Sequence, residues 1–490
     1  MQRFAPVAAL LPLAVACCSE STVSNPLKGP AFGFESGTRL RARVRVGEGG
    51  SRLLVGWRDS KLGAPCRFAT AEDGATRCIP EGVDVVFLDA ACTQPIGARD
   101  PSCGPPASYA SVTMAGETCN GVTHAFRIKE LLVPITERVY VGGSAGAGCT
   151  RSGKLDERIE TYALEPMDPL ELVEATLARE PKSDHLGLEV LVAKDGARQP
   201  RSLYDATHGR CFSIAGALGG GEDRCIPDAV AWATYAADPA CKERVAYQLQ
   251  SGTSCPRADV VVDYAFEDCG VRTRFFATGA DVKLDDVYTA SPPTCAPVRS
   301  QPSLYASLKR DHVFYRIADP IAASTFPKLR TTPLGPGRLA VPTLATDDGT
   351  ALAPARPDTF FDTNLGTPCR VYPFPDRINR CVPADAATIA EPTYDGDECT
   401  HEVVGIARVP GCPSAAIPTY AMRVTGDACG SEIGARAVHR LGTVARDLST
   451  YFVKNEAGNC TPRPGAGDVF VDVLGEVPPD DLGLIAEAIE

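Results

Sequence analysis

The chain has 490 residues, 44% hydrophobic and 22% charged, a globular composition able to bury a core and long enough for about three domains. Acidic residues outnumber basic ones, 61 to 49, for a net charge of −12, which excludes nucleic acid as a partner held through its phosphates, because that needs a basic stripe. Twenty cysteines exclude an ordinary protein of the reducing cytosol.

Residues 1–16 (MQRFAPVAALLPLAVA) carry Arg3 and then an apolar stretch of 13 residues from Phe4 to Ala16. A bilayer span needs about 20 apolar residues, so this is a signal peptide. Ala14-Val15-Ala16 is a small-residue cleavage site. Ala16-Cys17 also resembles a bacterial lipobox, with Ala14 where leucine is usual and Leu13 one position further back. The expectation is an acylated Cys17 as the new N-terminus, holding the protein to the membrane; a freely secreted protein is the alternative. Residues 17–37 are rich in Ser, Pro and Gly and without period, as a flexible tether would be. No later segment approaches 18 consecutive apolar residues, so no transmembrane helix is expected.

Removing Cys17 and Cys18 leaves 18 cysteines in three sets of six. They are Cys66, Cys78, Cys92, Cys103, Cys119 and Cys149; Cys211, Cys225, Cys241, Cys255, Cys269 and Cys295; and Cys369, Cys381, Cys399, Cys412, Cys429 and Cys460. Other residues keep the same register. Arg77-Cys78-Ile79-Pro80 recurs as Arg224-Cys225-Ile226-Pro227 and Arg380-Cys381-Val382-Pro383. Trp57 and Asp59, Tyr204 and Asp205, and Phe361 and Asp362 lead to each first cysteine. An aromatic and an acid precede each third one: Phe87 and Asp89, Tyr235 and Asp238, Tyr394 and Asp397. The chain therefore reads as three tandem repeats, 38–181, 182–332 and 333–490.

Zinc sites want cysteines spaced by two to four residues. Here, apart from Cys17-Cys18, the closest are 11 apart, and the six histidines (His124, His185, His208, His312, His401 and His439) share no repeat position. Six cysteines per repeat in an exported chain imply three disulfides each. Fifteen connectivities are open. First-to-second is favoured, because those cysteines flank hairpin turns such as Asp73-Gly74 and Gly219-Gly220-Gly221.

In the first repeat eight strands are predicted: Leu40 to Val46, Leu53 to Trp57, Cys66 to Ala69, Val83 to Leu88, Tyr109 to Met114, His124 to Leu131, Arg138 to Val141 and Arg158 to Leu164. Met167-Asp168-Pro169, Ala318-Asp319-Pro320 and Val477-Pro478-Pro479-Asp480 read as helix starts, with Pro169 to Leu177 of helical composition. Two four-stranded sheets per repeat predict an all-β, six-bladed propeller-like assembly. Three separate β-domains in a row are the alternative.

Candidate chemistry is sparse. Gly142-Gly143-Ser144-Ala145-Gly146 matches G-x-S-x-G, but no helix can follow it, as a nucleophile elbow requires. Asp395-Gly396-Asp397-Glu398 and Asp347-Asp348-Gly349 cluster oxygen ligands without the alternating series of a calcium loop. Trp57, Tyr204 and Phe361 are expected to pack beside each first cysteine, with Asp59, Asp205 and Asp362 forming turns. Arg77, Arg224 and Arg380 should pair with neighbouring acids. No catalytic residue, metal or cofactor is expected.

Through the W-x-D…C…R-C-x-P…aromatic-x-D…C pattern, over nearly the whole mature chain, the sequence resembles cysteine-rich triple-repeat bacterial lipoproteins, a group with no assigned activity. The resemblance implies no functional residue. What recurs is scaffold: cysteines, turns, aromatics and caps. The expectation is a non-catalytic binding or structural module of the cell envelope, at the outer membrane or cell surface, with an envelope or extracellular protein or glycan as ligand. An extracytoplasmic hydrolase or lyase acting on glycan or ester, with a site at the propeller centre, is the alternative.

Overall fold

The computed structural model describes residues 33–490 except 103–106, 115–120, 133–134, 136–137, 143–148, 215–222, 250–254, 268–269, 292–293, 357, 390, 407–416, 426–433, 456–457 and 466–467. The chain is all-β. Among the described residues there is one α-helix, Pro302–Asp311, and the strands form four sheets. No described helix is long and apolar enough to cross a membrane.

The largest sheet closes on itself. A first stretch of chain supplies β1 (Leu40–Gly47), β2 (Arg52–Asp59), β3 (Ala64–Thr70), β4 (Thr76–Pro80) and, after a long excursion, β5 (Glu174–Pro181). A second supplies β6 (Leu186–Ala193), β7 (Arg198–Asp205), β8 (Gly209–Ile214), β9 (Asp223–Pro227) and β10 (Lys328–Leu334). A third supplies β11 (Leu339–Ala345), β12 (Thr359–Asp362), β13 (Thr367–Pro373), β14 (Asn379–Pro383) and β15 (Leu484–Ile489). Each fifth strand pairs with the fourth of its own stretch and with the first of the next, and β15 returns to β1. The ring thus closes on itself, which removes long open edges; the short strand Ala351–Pro354 is joined to the sheet through β11.

Each fourth-to-fifth junction is short, only two residue pairs, as at Glu174 with Arg77 and Ala175 with Thr76. It is anchored identically three times. The amides of Cys78, Cys225 and Cys381 donate to the carbonyls of Val173, Pro327 and Gly483 at 2.9, 3.0 and 2.9 Å.

Three cores fill this ring, and each draws on the next stretch. The first holds Leu40, Trp57, Cys66 and Cys78 with Leu191 of β6. The second holds Leu188, Leu203, Cys211 and Leu329 with Leu344 of β11. The third holds Leu339, Phe360, Cys369 and Ile485 with Leu53 of β2. Consequently β11 is buried along its whole length, and β6 along all but one residue. The three excursions build the other sheets, of seven, seven and eight strands, between Asp84 and Pro166, Val230 and Pro297 to Ile321, and Ala387 and Glu476.

This corrects the expected six four-stranded sheets: there are four sheets, one of them cyclic. The eight strands predicted in the first stretch are present. Thr76–Pro80, Pro95–Arg99, Thr150–Lys154 and Glu174–Pro181 were not foreseen. The last matters most, because its composition reads as helix. The helix start at Asp168-Pro169 becomes a single 3-10 turn, Pro169–Glu171, with Asp168 Oδ1 accepting from the Leu170 amide at 2.9 Å. The chain then extends because Val173 must meet Cys78. Asp319-Pro320 lies inside the strand His312–Ile321, and the equivalent 3-10 turn falls at Ala323–Thr325. In the third stretch it is Pro479–Asp481.

The disulfides follow one rule. First-to-second bridges form in all three stretches (Cys66–Cys78, Cys211–Cys225 and Cys369–Cys381), and third-to-sixth bridges as well (Cys92–Cys149, Cys241–Cys295 and Cys399–Cys460). Cys255 is disulfide-bonded too. Cys17, Cys18, Cys103, Cys119, Cys269, Cys412 and Cys429 lie outside the described residues. So many bridges mark an extracytoplasmic protein.

The buried aspartates form turns as expected. Asp59 Oδ1 accepts from the amides of Lys61 and Leu62, Asp205 Oδ1 from Thr207, and Asp362 Oδ1 from Asn364 and Leu365. The aromatic register is corrected by one residue. Trp57 and Phe360 lie opposite the first cysteines Cys66 and Cys369, and Leu203 opposite Cys211. Tyr204 and Phe361 point to the other face, because a shift of one residue exchanges the faces of a strand. Asp397 is corrected likewise: the position matching Asp89 and Asp238, three before the third cysteine, is Gly396.

Arg77 and Arg380 pair with Asp73 and Asp376, at 2.6 and 2.7 Å. Arg224 Nη1 donates to the carbonyl of Phe326 at 3.0 Å. Arg380 holds the Asp376 carboxyl down to about 2, and Arg77 lowers Asp73 in the same way. A carboxylate whose folded pKa lies below its unfolded one, near ~3.9, adds stability that is present above that value and lost as pH falls toward the folded pKa. The denaturant midpoint should therefore fall between pH ~4 and ~2, and fall less in Asp376→Asn. An equal fall in wild type and variant would remove this pair as a cause.

Candidate functional site

The ring brings all three stretches to one cleft of about 630 Å³. Its apolar walls include Phe34, Leu53 and Leu54 from the first stretch, Leu203 and Phe212 from β7 and β8, and Leu344 with Ala353 to Ala355 from the third. Its polar groups come from the second stretch: Gln199, Arg201, Ser202, Arg210, Ser213 and Asp228. An apolar body with few convergent polar groups is the usual build of a small-molecule site.

Most of these polar groups are already committed. Gln199 Oε1 accepts from Trp57 Nε1 at 2.7 Å. Glu189, on β6, is 1% exposed and accepts from Arg210 Nε at 2.7 Å, Ser202 Oγ at 2.9 Å and Arg179 Nε at 3.2 Å. Burial opposes its charge, but Arg210, Ser202 and Arg179 together outweigh that and hold the carboxyl below its usual range. Arg210 also lies 3.7 Å from Asp228.

Two groups remain. Ser213 Oγ is buried and has no hydrogen-bond partner, an arrangement that costs stability unless something pairs with it. Arg201 makes no hydrogen bond or ion pair among the described residues. Arg201 is solvent-exposed, yet partial desolvation by the protein beside it, and then the nearby Arg210, lower its guanidinium below the ordinary arginine range. Such a group favours an anion beside it.

A second cluster lies on the third excursion. His401 Nδ1 is 2.8 Å from Asp395 Oδ2, and Arg446 Nη1 donates to the same oxygen at 2.9 Å. Arg446 also contacts Asp472, and Arg423 joins Glu402 to His439, 3.2 Å from its Nε2. Desolvation works against the Asp395 charge, while His401 and Arg446 lower its pKa more. Of the oxygens considered for calcium, Asp395 is engaged here, Asp347 lies 3.2 Å from Arg330, and Asp348 meets Thr346 and the Thr350 amide, the latter at 3.0 Å. Among the described residues no group of His, Cys, Asp or Glu is arranged to hold a metal. The remaining four histidines are dispersed: His124 beside Glu72, His185 exposed just before β6, His208 against Asp205 and His312 among rings. Ser144 lies outside the described residues.

Sequence reasoning missed Arg201, Arg210, Glu189 and Ser213. The signal for one was present: Glu189 is the single charge in Leu-Gly-Leu-Glu-Val-Leu-Val-Ala, and an acid in a run buried on both faces needs a partner. The others fall on strands whose convergence is a property of the ring.

No curated protein and no solved structure matches the chain. A family model described as "Family of unknown function (DUF7481)" matches residues 31–305. That span covers the first two stretches up to the helix, and with them every polar group of the cleft. More than half of the chain lies within the match, and the protein belongs to this family.

Proposed function

We propose that the protein is an exported lipoprotein, three copies of one disulfide-bonded unit, that binds rather than transforms its ligand. Residues 1–16 are its signal peptide and acylated Cys17 its anchor at the cell envelope. The recurring bridges support export and the repeated build. The bladed arrangement expected from the sequence gives way in this reading to a ring whose cleft holds the ligand. The ligand is a small molecule with an apolar body and one anionic group.

One observation carries this: a cleft of apolar walls in which Arg201 is unpaired and Ser213 Oγ is buried without a partner. Decanoate and decanol, the same body with and without charge, test it by calorimetry. Decanoate should bind more tightly, and Arg201→Ala should weaken it about 10-fold or more, the worth of a hydrogen bond to a charged group. Equal binding of the two probes, or an unaltered Arg201→Ala, rejects the reading. Intact mass of the native protein tests the acyl chains on Cys17 separately.

The hydrogen-bonded Asp395–His401 pair, at 2.8 Å, favours a second reading, an extracytoplasmic hydrolase or lyase with the imidazole as general base. Turnover of p-nitrophenyl acetate that disappears in His401→Ala would support it.

A further inference from the structure

The three stretches depart from one another most clearly on the outer face of the first. Alternate residues of a strand share a face, so Arg41, Arg43 and Arg45 of β1 project together, away from the core that takes Leu40, Ala42 and Val44. Each first strand starts opposite its buried aspartate, Leu40 with Asp59, Leu186 with Asp205 and Leu339 with Asp362. In that register Arg45 stands where β6 and β11 carry the buried Leu191 and Leu344. Arg58, exposed on β2, stands where β7 and β12 carry Tyr204 and Phe361, and Arg67 is exposed on β3.

Arg41 lies directly opposite Arg58, and Arg43 opposite Gly56. Like charges placed directly across a strand pair cost stability. Two acids reach this face: Glu81, 3.4 Å from Arg43, and Glu487, 3.5 Å from Arg45. Arg41 donates to the carbonyl of Gly37 at 3.2 Å. Arg58 and Arg67 meet no carboxylate among the described residues. A net positive face therefore persists on a chain of net charge −12.

We propose that this arginine face docks the folded body onto anionic lipid headgroups of the membrane that carries the anchor. The inference rests on the anchoring reading above. Position favours lipid over other polyanions, because β1 is the first strand after the tether. Phe34 is already packed in the body, so about 16 residues separate it from Cys17, a reach of roughly 20 Å if that segment is a flexible chain, which keeps the face near the bilayer. Basic residues at an anionic surface add to a lipid anchor as a second attachment.

The test uses the full mature chain with Cys17→Ser, so that no acyl chain contributes, and vesicles of phosphatidylcholine with and without phosphatidylglycerol. Binding should require phosphatidylglycerol and weaken with salt. Arg41→Glu, Arg58→Glu and Arg67→Glu together should lower partitioning on the order of 100-fold. The charge-matched set Arg158→Glu, Arg377→Glu and Arg463→Glu should retain most of it, with thermal unfolding confirming that both variants fold. Equal partitioning to both vesicles, or equal loss in both variant sets, overturns the proposal. Tighter binding to alginate than to the anionic vesicles overturns it in favour of an acidic glycan. Failure of the anchor would show instead in the mass of native Cys17, which this assay does not use.

Discussion

Replacing Asp59 with alanine is expected to destabilise the protein by about 3–5 kcal/mol, the cost of removing one partner from a buried ion pair. The Asp59 carboxylate is fully buried, and Arg39 is 22% exposed. Arg39 grips it through Nε and Nη2 at 2.8 and 2.7 Å, while the amides of Lys61 and Leu62 occupy Oδ1. Arg39 Nη2 also donates to the Glu171 carbonyl at 2.8 Å, on the turn that launches β5. One carboxylate therefore ties the β2–β3 turn to the junction on which ring closure depends. The third stretch repeats this: Arg338 Nε lies 3.0 Å from Asp362 Oδ1, and its Nη2 donates to the Asp481 carbonyl. Asp59→Ala strands a largely buried cation and frees two amides. Asp59→Asn keeps an acceptor for the turn and should cost less. Asp156→Ala, at an exposed pair with Arg158, should change stability far less, because solvent screens such a pair. Urea midpoints of the three variants check this ordering, and an Asp59→Ala shift no larger than that of Asp156→Ala contradicts it.

Local chemistry was legible in the sequence, and closure was not. Cys66 and Cys78 flank a hairpin, so their bridge follows from turn residues and strand register. Cys92 and Cys149 are 57 residues apart, and their bridge requires the excursion to fold back, which no local pattern encodes. Glu174–Pro181 shows why the ring stayed hidden: one residue of its eight, Ala175, is buried, so it carries no alternating pattern. Its strand identity comes from the partners on either side. Tyr204 and Phe361 show a finer failure. Their spacing to the aspartate differs by one from that of Trp57, and only the pairing register shows that Leu203 and Phe360 are the core residues. The candidate cleft was illegible for a similar reason, since Leu53, Arg201 and Leu344 converge across the whole ring. Arg41, Arg43 and Arg45 were visible as an alternating strand, but their departure from the other stretches needed the structural register.

Opening the third-to-sixth bridges should cost more than opening the first-to-second ones. In the chain-entropy account, a bridge closing 12 residues contributes about 3 kcal/mol and one closing 57 about 4 kcal/mol. Cys92→Ala with Cys149→Ala should therefore destabilise by about 1 kcal/mol more than Cys66→Ala with Cys78→Ala. Backbone geometry adds a second, separable effect. The third cysteine of every stretch has a left-handed backbone, with φ of 59° at Cys92, 51° at Cys241 and 48° at Cys399. Asp89 holds the first in place by accepting from the amides of Ala91, Thr93 and Gln94 at 2.8, 3.1 and 2.7 Å, and Asp238 does the same for the second. Alanine at this position keeps the steric penalty of the left-handed region, roughly 1–2 kcal/mol, without the bridge. Glycine relieves it, since it has no Cβ to clash. Cys92→Gly with Cys149→Ala should thus recover about 1 kcal/mol over the alanine pair. Urea unfolding of the variants decides between the terms. If glycine and alanine at position 92 give equal midpoints, backbone strain is not part of the account, and if both bridge deletions cost the same, loop length is not.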